Sequence, residues 1–237
     1  MSLVSAISKT ILDLIFPKRC LGDCGCYDVW ICSACLQAIR RPLTECPSCR
    51  RTQKTNIVCP ECRDASPIAG LTVASDYQVR IVEQAIRAMK YQYVEEIAEV
   101  LGACVAQALS EETTVRTWKK PVVIPVPLHR TRKNERGFNQ AELLSRVIAR
   151  QLDFPLRTDI LRRSAATMAQ ATLDRSARLH NVVNAFTVRK RVELSDKPVI
   201  LVDDVATTTA TLRACAKELK KSGAGPVWGA VIARSHQ

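Results

Sequence analysis

The chain has 237 residues, of which 47% are hydrophobic and 24% charged, with a formal net charge of +12 and 11 cysteines. Such a composition is globular and excludes a disordered or collagen-like chain, while aromatic residues at 5% argue against a nucleic-acid binder built on many stacking rings. No apolar run approaches the ~20 residues that a membrane span needs.

The opening segment, SLVSAISKTILDLIFP, is apolar but broken by Lys9 and Asp13, and Pro17, Lys18 and Arg19 follow it in place of a small-residue cleavage site. It reads as an amphipathic helix packed on its own protein rather than a secretory signal, and the protein is expected in the cytoplasm.

Nine of the 11 cysteines lie between Cys20 and Cys62. They form knuckles: Cys20 with Cys24, Cys32 with Cys35, Cys46 with Cys49, and Cys59 with Cys62. Two thiolates in a short turn supply one edge of a tetrahedral metal site, and a second knuckle completes it. The spacing therefore predicts two structural Zn²⁺ sites, the first two knuckles forming one and the last two the other. A disulfide scaffold fits poorly, because the cysteine number here is odd and no export signal precedes it. Cys26 beside Cys24 leaves one ligand ambiguous, and Gly25 favours Cys24. Residues 1–70 carry nine basic and six acidic side chains, so two thiolate-bound zinc ions, each site at a net −2, bring this part to about −1. Any nucleic acid it binds must then meet a local patch such as Arg40, Arg41, Arg50, Arg51 and Lys54. Cys104 and Cys215 stand apart and read as core residues.

RDASPIAG after Cys62 has loop composition. The division implied is 1–66, a helix with a double zinc ribbon, and 67–237, a larger domain. In the latter, a short apolar run at residues 71–74 precedes VRIVEQAIRAMK and EEIAEVLGACVAQAL, both apolar at helical spacing. PVVIPVP is a strand buried on both faces; a basic loop follows it, then the helix NQAELLSRVIARQL with Asn139 as N-cap. PVILV is a second buried strand, TLRACAKELKKSG a helix stopped at Gly223, and PVWGAVIA a third strand. Strands alternating with helices predict an α/β fold with a parallel sheet. Residues 116–191 hold 17 Lys and Arg against 5 Asp and Glu, a basic stretch suited to phosphates on a ligand or along a nucleic acid.

The most informative stretch is VILVDDVATTTATL, residues 199–212. A buried strand runs into Asp203 and Asp204, then a threonine-rich turn, then a helix. In open α/β sheets ligands sit at the carboxyl ends of strands. Two adjacent carboxylates accept hydrogen bonds from vicinal sugar hydroxyls, and a helix N-terminus with hydroxyl donors favours a phosphate. One strand end thus offers groups for a phosphorylated pentose.

This stretch resembles the phosphoribosyl pyrophosphate (PRPP) signature of type I phosphoribosyltransferases. Together with PVPLHRTRKNERGFNQAELL, QATLDRSARLHNVVNAF, VIAR and the upstream knuckles, it makes nearly the whole chain resemble the ComF family, competence-associated proteins involved in the uptake or use of external DNA. The resemblance implies a type I phosphoribosyltransferase-like sheet flanked by helices and PRPP bound with Mg²⁺. Asp203 and Asp204 then hold the ribose hydroxyls, and Ala206, Thr207, Thr208, Thr209, Ala210 and Thr211 surround the 5′-phosphate. Lys90, with Tyr91, and Arg136 lie against pyrophosphate, and Arg130, Arg132, Lys133, Asn139 and Gln140 contact pyrophosphate or nucleic acid. The family loop usually carries Gly where this chain has Thr209, and a β-branched residue disfavours positive φ, which implies a different loop shape or weaker phosphate binding. Gln170, Arg175, Arg178 and Asn181 form a further polar set, with Thr172 where relatives often carry Gly. His129, His180 and His236 lack metal spacing. The functional expectations are a PRPP-binding, phosphoribosyltransferase-like protein serving single-stranded DNA uptake or processing, or a non-catalytic zinc-ribbon binder of single-stranded DNA or adaptor for a DNA-processing partner.

Overall fold

The computed structural model describes residues 17–91, 96–163, 185–189 and 194–235. The expected helix at the N-terminus, the set Gln170, Thr172, Arg175, Arg178 and Asn181, and His180 and His236 lie outside the described residues. Four strands form one parallel sheet in the order β1-β6-β5-β2: β1 Gly70–Asp76, β2 Val122–Pro125, β5 Val199–Ala206 and β6 Val227–Arg234. The first strand is the run at residues 71–74 lengthened at both ends, and β5 continues past PVILV through the acidic pair.

Side chains alternate across a strand, and both faces of this sheet are covered. Ile200, Val202, Trp228, Ala230 and Ile232 face one core cluster. Val199, Leu201, Val227 and Val231 face the other. This is why β2, β5 and β6 read as unbroken apolar runs rather than alternating ones. Against the first face pack α3 Arg80–Tyr91, α4 Glu96–Ser110 and α7 Gln140–Leu152; against the second packs α8 Ala210–Lys221. Helices α4 and α7 meet closely: a Cβ on Gly102 would stand 2.7 Å from Cβ of Val147, nearer than packed atoms approach. A two-stranded antiparallel sheet, β3 Leu161–Arg163 with β4 Phe186–Val188, was not foreseen. Cys215 is fully buried and Cys104 partly so, in line with core roles.

The basic segment expected as a loop after β2 is instead a helix, α6 Arg130–Arg136. His129 Nδ1 accepts the Thr131 N–H at its start, and Gly137, at φ 76, closes it in the left-handed conformation. Its residues show no apolar period because the helix buries none of them. The short α5 Thr113–Arg116 precedes β2. Among the described residues no helix is long and apolar enough to cross a membrane.

The cysteine-rich part builds two alike units, each a knuckle followed by a short helix, α1 Ser33–Gln37 and α2 Pro60–Arg63. Both units pack against the sheet and its helices. Cys20 and Ile31 join the first core cluster, Cys46, Val58 and Cys59 the second. Val58 N–H donates to Ala69 O and Leu71 N–H to Asn56 O, each at 2.9 Å, so the chain between the units and β1 runs along that strand's edge.

Candidate functional site

The thiols gather into two groups of four: Cys20, Cys24, Cys32 and Cys35, and Cys46, Cys49, Cys59 and Cys62, with ligand atoms within 4.8 Å of one another. Cys26 is outside the first group, and its thiol is raised to about 11, chiefly by hydrogen bonding with the neighbouring Cys24 sulfur. The Sγ–Sγ distances are 3.5 Å for Cys24 and Cys32 and 3.7 Å for Cys49 and Cys59. Ligands ~2.3 Å from a tetrahedral zinc stand about 3.8 Å apart, so both groups fit the metal. Backbone N–H groups reinforce them, Cys32 donating to Cys20 Sγ at 3.3 Å and Cys59 to Cys46 Sγ at 3.4 Å.

At the carboxyl end of β5, Asp203 and Asp204 line a cavity of about 240 Å³. Lys90 and Tyr91 reach it from α3, Arg132 and Arg136 from α6, and Asn139 and Gln140 from the start of α7. Arg163 on β3 enters it too. Sequence reasoning missed Arg163, since a basic residue in a three-residue strand carries no local signal. Among the described residues, the cavity therefore sets two carboxylates amid four cationic side chains.

The two carboxylates differ. Asp204 pairs with Lys90 at 2.9 Å, and its Oδ1 accepts the Val205 N–H at 2.6 Å. Asp203 is pushed up to about 7, first by burial and then by the charge of Asp204, with Lys90 and Arg163 opposing. Its Oδ1 accepts the Asp204 N–H at 2.9 Å. Burial also draws the Arg163 guanidinium down. Strongly shifted groups in a cleft mark functional sites.

The other expected residues divide. Arg136 lies over the Tyr91 ring at 5.2 Å from its centroid and donates to Gln140 Oε1 at 3.3 Å. Gln140 is 2% exposed, and its Nε2 has no hydrogen-bond partner among the described residues. Asn139 caps α7, its Oδ1 accepting the Ala141 N–H, and its Nδ2 donates to Val126 O at 3.0 Å; both polar ends are thus held by backbone. Arg130 and Lys133 are exposed and lie outside the cavity lining.

Of the residues from Ala206 to Thr211, Thr211 lines the cavity, whereas Thr208 and Ala210 line a separate groove of about 740 Å³ along α8. Thr207 and Thr208 are exposed and Ala206 is buried. Thr209 caps α8 at φ 58 and ψ 6. The threonine has thus adopted the left-handed conformation natural to glycine, at a local cost of about 1–2 kcal/mol. It is held there by burial, at 3% exposure, and by its Oγ1, which donates to Pro47 O at 3.4 Å. Of the basic patch expected in the cysteine-rich part, Arg41 pairs with Glu111, Arg51 with Glu61, and Arg50 turns inward onto Thr207.

No family model matches the chain. It is 31% identical to Competence protein F of Haemophilus influenzae over 216 residues, covering 89% of this chain and 94% of that protein. It is 30% identical to DNA utilization protein YhgH of Escherichia coli K12 over 200 residues, 83% of this chain and 87% of that one. Competence protein ComFC of Bacillus subtilis is 28% identical over 204 residues, covering 83% and 80%. Among solved structures, a glutamine PRPP amidotransferase from B. subtilis, complexed with ADP and GMP, aligns over 57% of this chain and 26% of its own at 20% identity, with a TM-score of 0.38. TT1426 from Thermus thermophilus aligns over 57% and 83% at 17% identity, with a TM-score of 0.33.

Proposed function

The chain belongs to the ComF family of competence and DNA-utilisation proteins, and from that membership we propose that it binds PRPP with Mg²⁺ at the carboxyl end of β5, in a phosphoribosyltransferase-like site serving the use of single-stranded DNA in the cytoplasm. The observation that carries this reading is the adjacent pair Asp203 and Asp204 on a cavity lined by Lys90, Arg132, Arg136 and Arg163. The carboxylates accept the ribose 2′- and 3′-hydroxyls. The loop from Ala206 to Thr211, at the positive end of the α8 dipole, takes the 5′-phosphate. Lys90, Arg132 and Arg136 take pyrophosphate, and the orphan Gln140 Nε2 supplies a further donor. The carboxylates are also the hard oxygen donors that Mg²⁺ prefers, and the ion neutralises pyrophosphate when bound.

In transfer chemistry such a site works by position and charge. Asp203 and Asp204 sit where positive charge develops on the sugar as pyrophosphate departs, and the surrounding cations receive the departing charge. The exposed Arg130 and Lys133 lie on the same helix as Arg132, and in this reading they contact a nucleic-acid backbone. The two cysteine groups hold structural zinc, and residues 1–66 and 67–237 form the ribbon and sheet domains.

Thermal melting with PRPP and Mg²⁺, each alone and together, tests the reading. Ligand at 100 times its Kd adds about 2.7 kcal/mol to stability, so the melting temperature should rise most with both present. Asp203→Asn combined with Asp204→Asn should abolish the rise. An unchanged calorimetric affinity in that double variant rejects the site. DNA binding that falls steeply with salt and is indifferent to PRPP, without Mg²⁺-dependent pyrophosphate release, would favour a non-catalytic binder.

A further inference from the structure

The Cys46–Cys49 knuckle of the second cysteine group reaches across the molecule to the loop that follows β5. Pro47, between Cys46 and Cys49, is buried. Its carbonyl accepts from Thr209 Oγ1 at 3.4 Å and from Arg234 Nη2 at 2.9 Å. Arg50, directly after Cys49, sits at φ 63, and its N–H donates to Cys46 O at 3.0 Å. The Arg50 guanidinium Nη2 donates to Thr207 O at 2.6 Å and to Ser235 O at 3.0 Å. Arg234, 3% exposed at the end of β6, lies 3.7 Å from Glu45. One knuckle therefore grips the loop at Thr207 and Thr209 and the end of the neighbouring strand at Arg234 and Ser235.

The direction of these bonds matters. In a planar trans peptide the carbonyl and the following N–H point opposite ways. Arg50 draws the Thr207 carbonyl toward the knuckle, which turns the Thr208 N–H outward. Thr209 in the left-handed region, followed by the right-handed turn of α8, sets successive N–H groups on one side, as in an anion-binding nest. A guanidinium behind the nest adds positive charge.

We propose that the second cysteine group, through Pro47 and Arg50, positions the loop from Ala206 to Thr211 for a phosphate monoester, with Arg50 the positioning residue, so that metal in that group and phosphate on the loop favour each other's binding. The ligand class rests on the PRPP reading above; the positioning does not. The first cysteine group has no such link among the described bonds: it docks on α3 instead, where Arg80 pairs with Asp23 at 2.7 Å. Coupling between two sites is reciprocal, so phosphate on the loop should slow metal loss from one group of four thiols and leave the other unchanged.

The test uses the zinc-loaded full chain and the variants Arg50→Ala and Arg50→Lys. Hydrogen exchange is read at residues 206–212 without ligand, and binding of ribose 5-phosphate and of pyrophosphate with Mg²⁺ is read by calorimetry. Losing a charged hydrogen bond is expected to speed loop exchange about tenfold. In Arg50→Ala, affinity for ribose 5-phosphate should fall about tenfold while pyrophosphate binding holds; Arg50→Lys, which reaches one carbonyl, should restore part of each. Chelator-driven zinc release from the unaltered chain is followed with and without ribose 5-phosphate, which needs no variant to fold. Unchanged exchange at 206–212 in Arg50→Ala overturns the positioning whatever the loop binds, and identical release from both groups with and without ligand overturns the coupling. If exchange responds but the unaltered chain binds neither ribose 5-phosphate nor PRPP, the positioning stands and the ligand assignment falls.

Discussion

Asp203→Asn offers the sharpest test of the cavity's electrostatics. The substitution keeps the shape of the side chain and an oxygen to accept the Asp204 N–H, but removes the charge. Raising a carboxyl from 3.8 to about 7 sets a ceiling of about 4 kcal/mol on the cost of ionising it in the folded chain. Asp203 is only partly buried, so water screens the charge and about 1–2 kcal/mol is the working figure. The folded carboxyl holds its proton more tightly than the unfolded one. The native state therefore binds more protons between about pH 4 and 7, and this contribution to stability is lost as pH rises through that window. Urea denaturation in zinc-containing buffer should find Asp203→Asn more stable than the original chain by about 1–2 kcal/mol at pH 7.5, an advantage that shrinks as pH falls toward about 4. A variant that is less stable at pH 7.5, or whose advantage does not change with pH, would show that Lys90 and Arg163 hold Asp203 as a satisfied ion and that the strand end is not strained toward a ligand.

PRPP affinity should weaken by up to tenfold per pH unit below 7, because hydroxyls need the ionised Asp203 as acceptor; calorimetry at pH 6 and 7 reads it, and Asp203→Asn should remove Asp203's share of the slope. Thr209→Gly should change stability by less than about 1 kcal/mol, since relief of left-handed strain offsets loss of the bond to Pro47, whereas Thr209→Val keeps the strain, loses the bond and should cost about 1–3 kcal/mol. Equal denaturation midpoints for the two variants would contradict this account. Gly102→Ala drives a methyl into Val147 and should cost about 1–3 kcal/mol, seen as a lower midpoint at unchanged zinc content.

The sheet was legible because its strands are buried on both faces, which leaves apolar runs such as PVVIPVP and PVWGAVIA. Helix α7 was legible from its Asn139 cap, and α8 from the stop at Gly223. Helix α6 was not: RTRKNER carries no apolar stripe, and an imidazole nitrogen is an unusual cap. The acidic pair and the knuckles announce their chemistry by spacing alone. Arg163, Pro47 and Arg50 act through partners far away in sequence, 157 residues in the case of Arg50 and Thr207, and no local pattern encodes such a meeting. A β-branched Thr209 argued against positive φ, yet the backbone holds φ 58 there, because burial and the bond to Pro47 outweigh the preference of one residue.

Among the described strands β6 comes last in sequence, yet it lies between β1 and β5. On the ribosome, β1 waits without its neighbour while more than 150 residues are added behind it, and β5 can pair only with β2. Closure of the sheet thus waits for one late segment, which must insert between two waiting edges. Chains arrested before that moment display unpaired apolar strands, the kind of surface that chaperones protect and that drives aggregation when they do not.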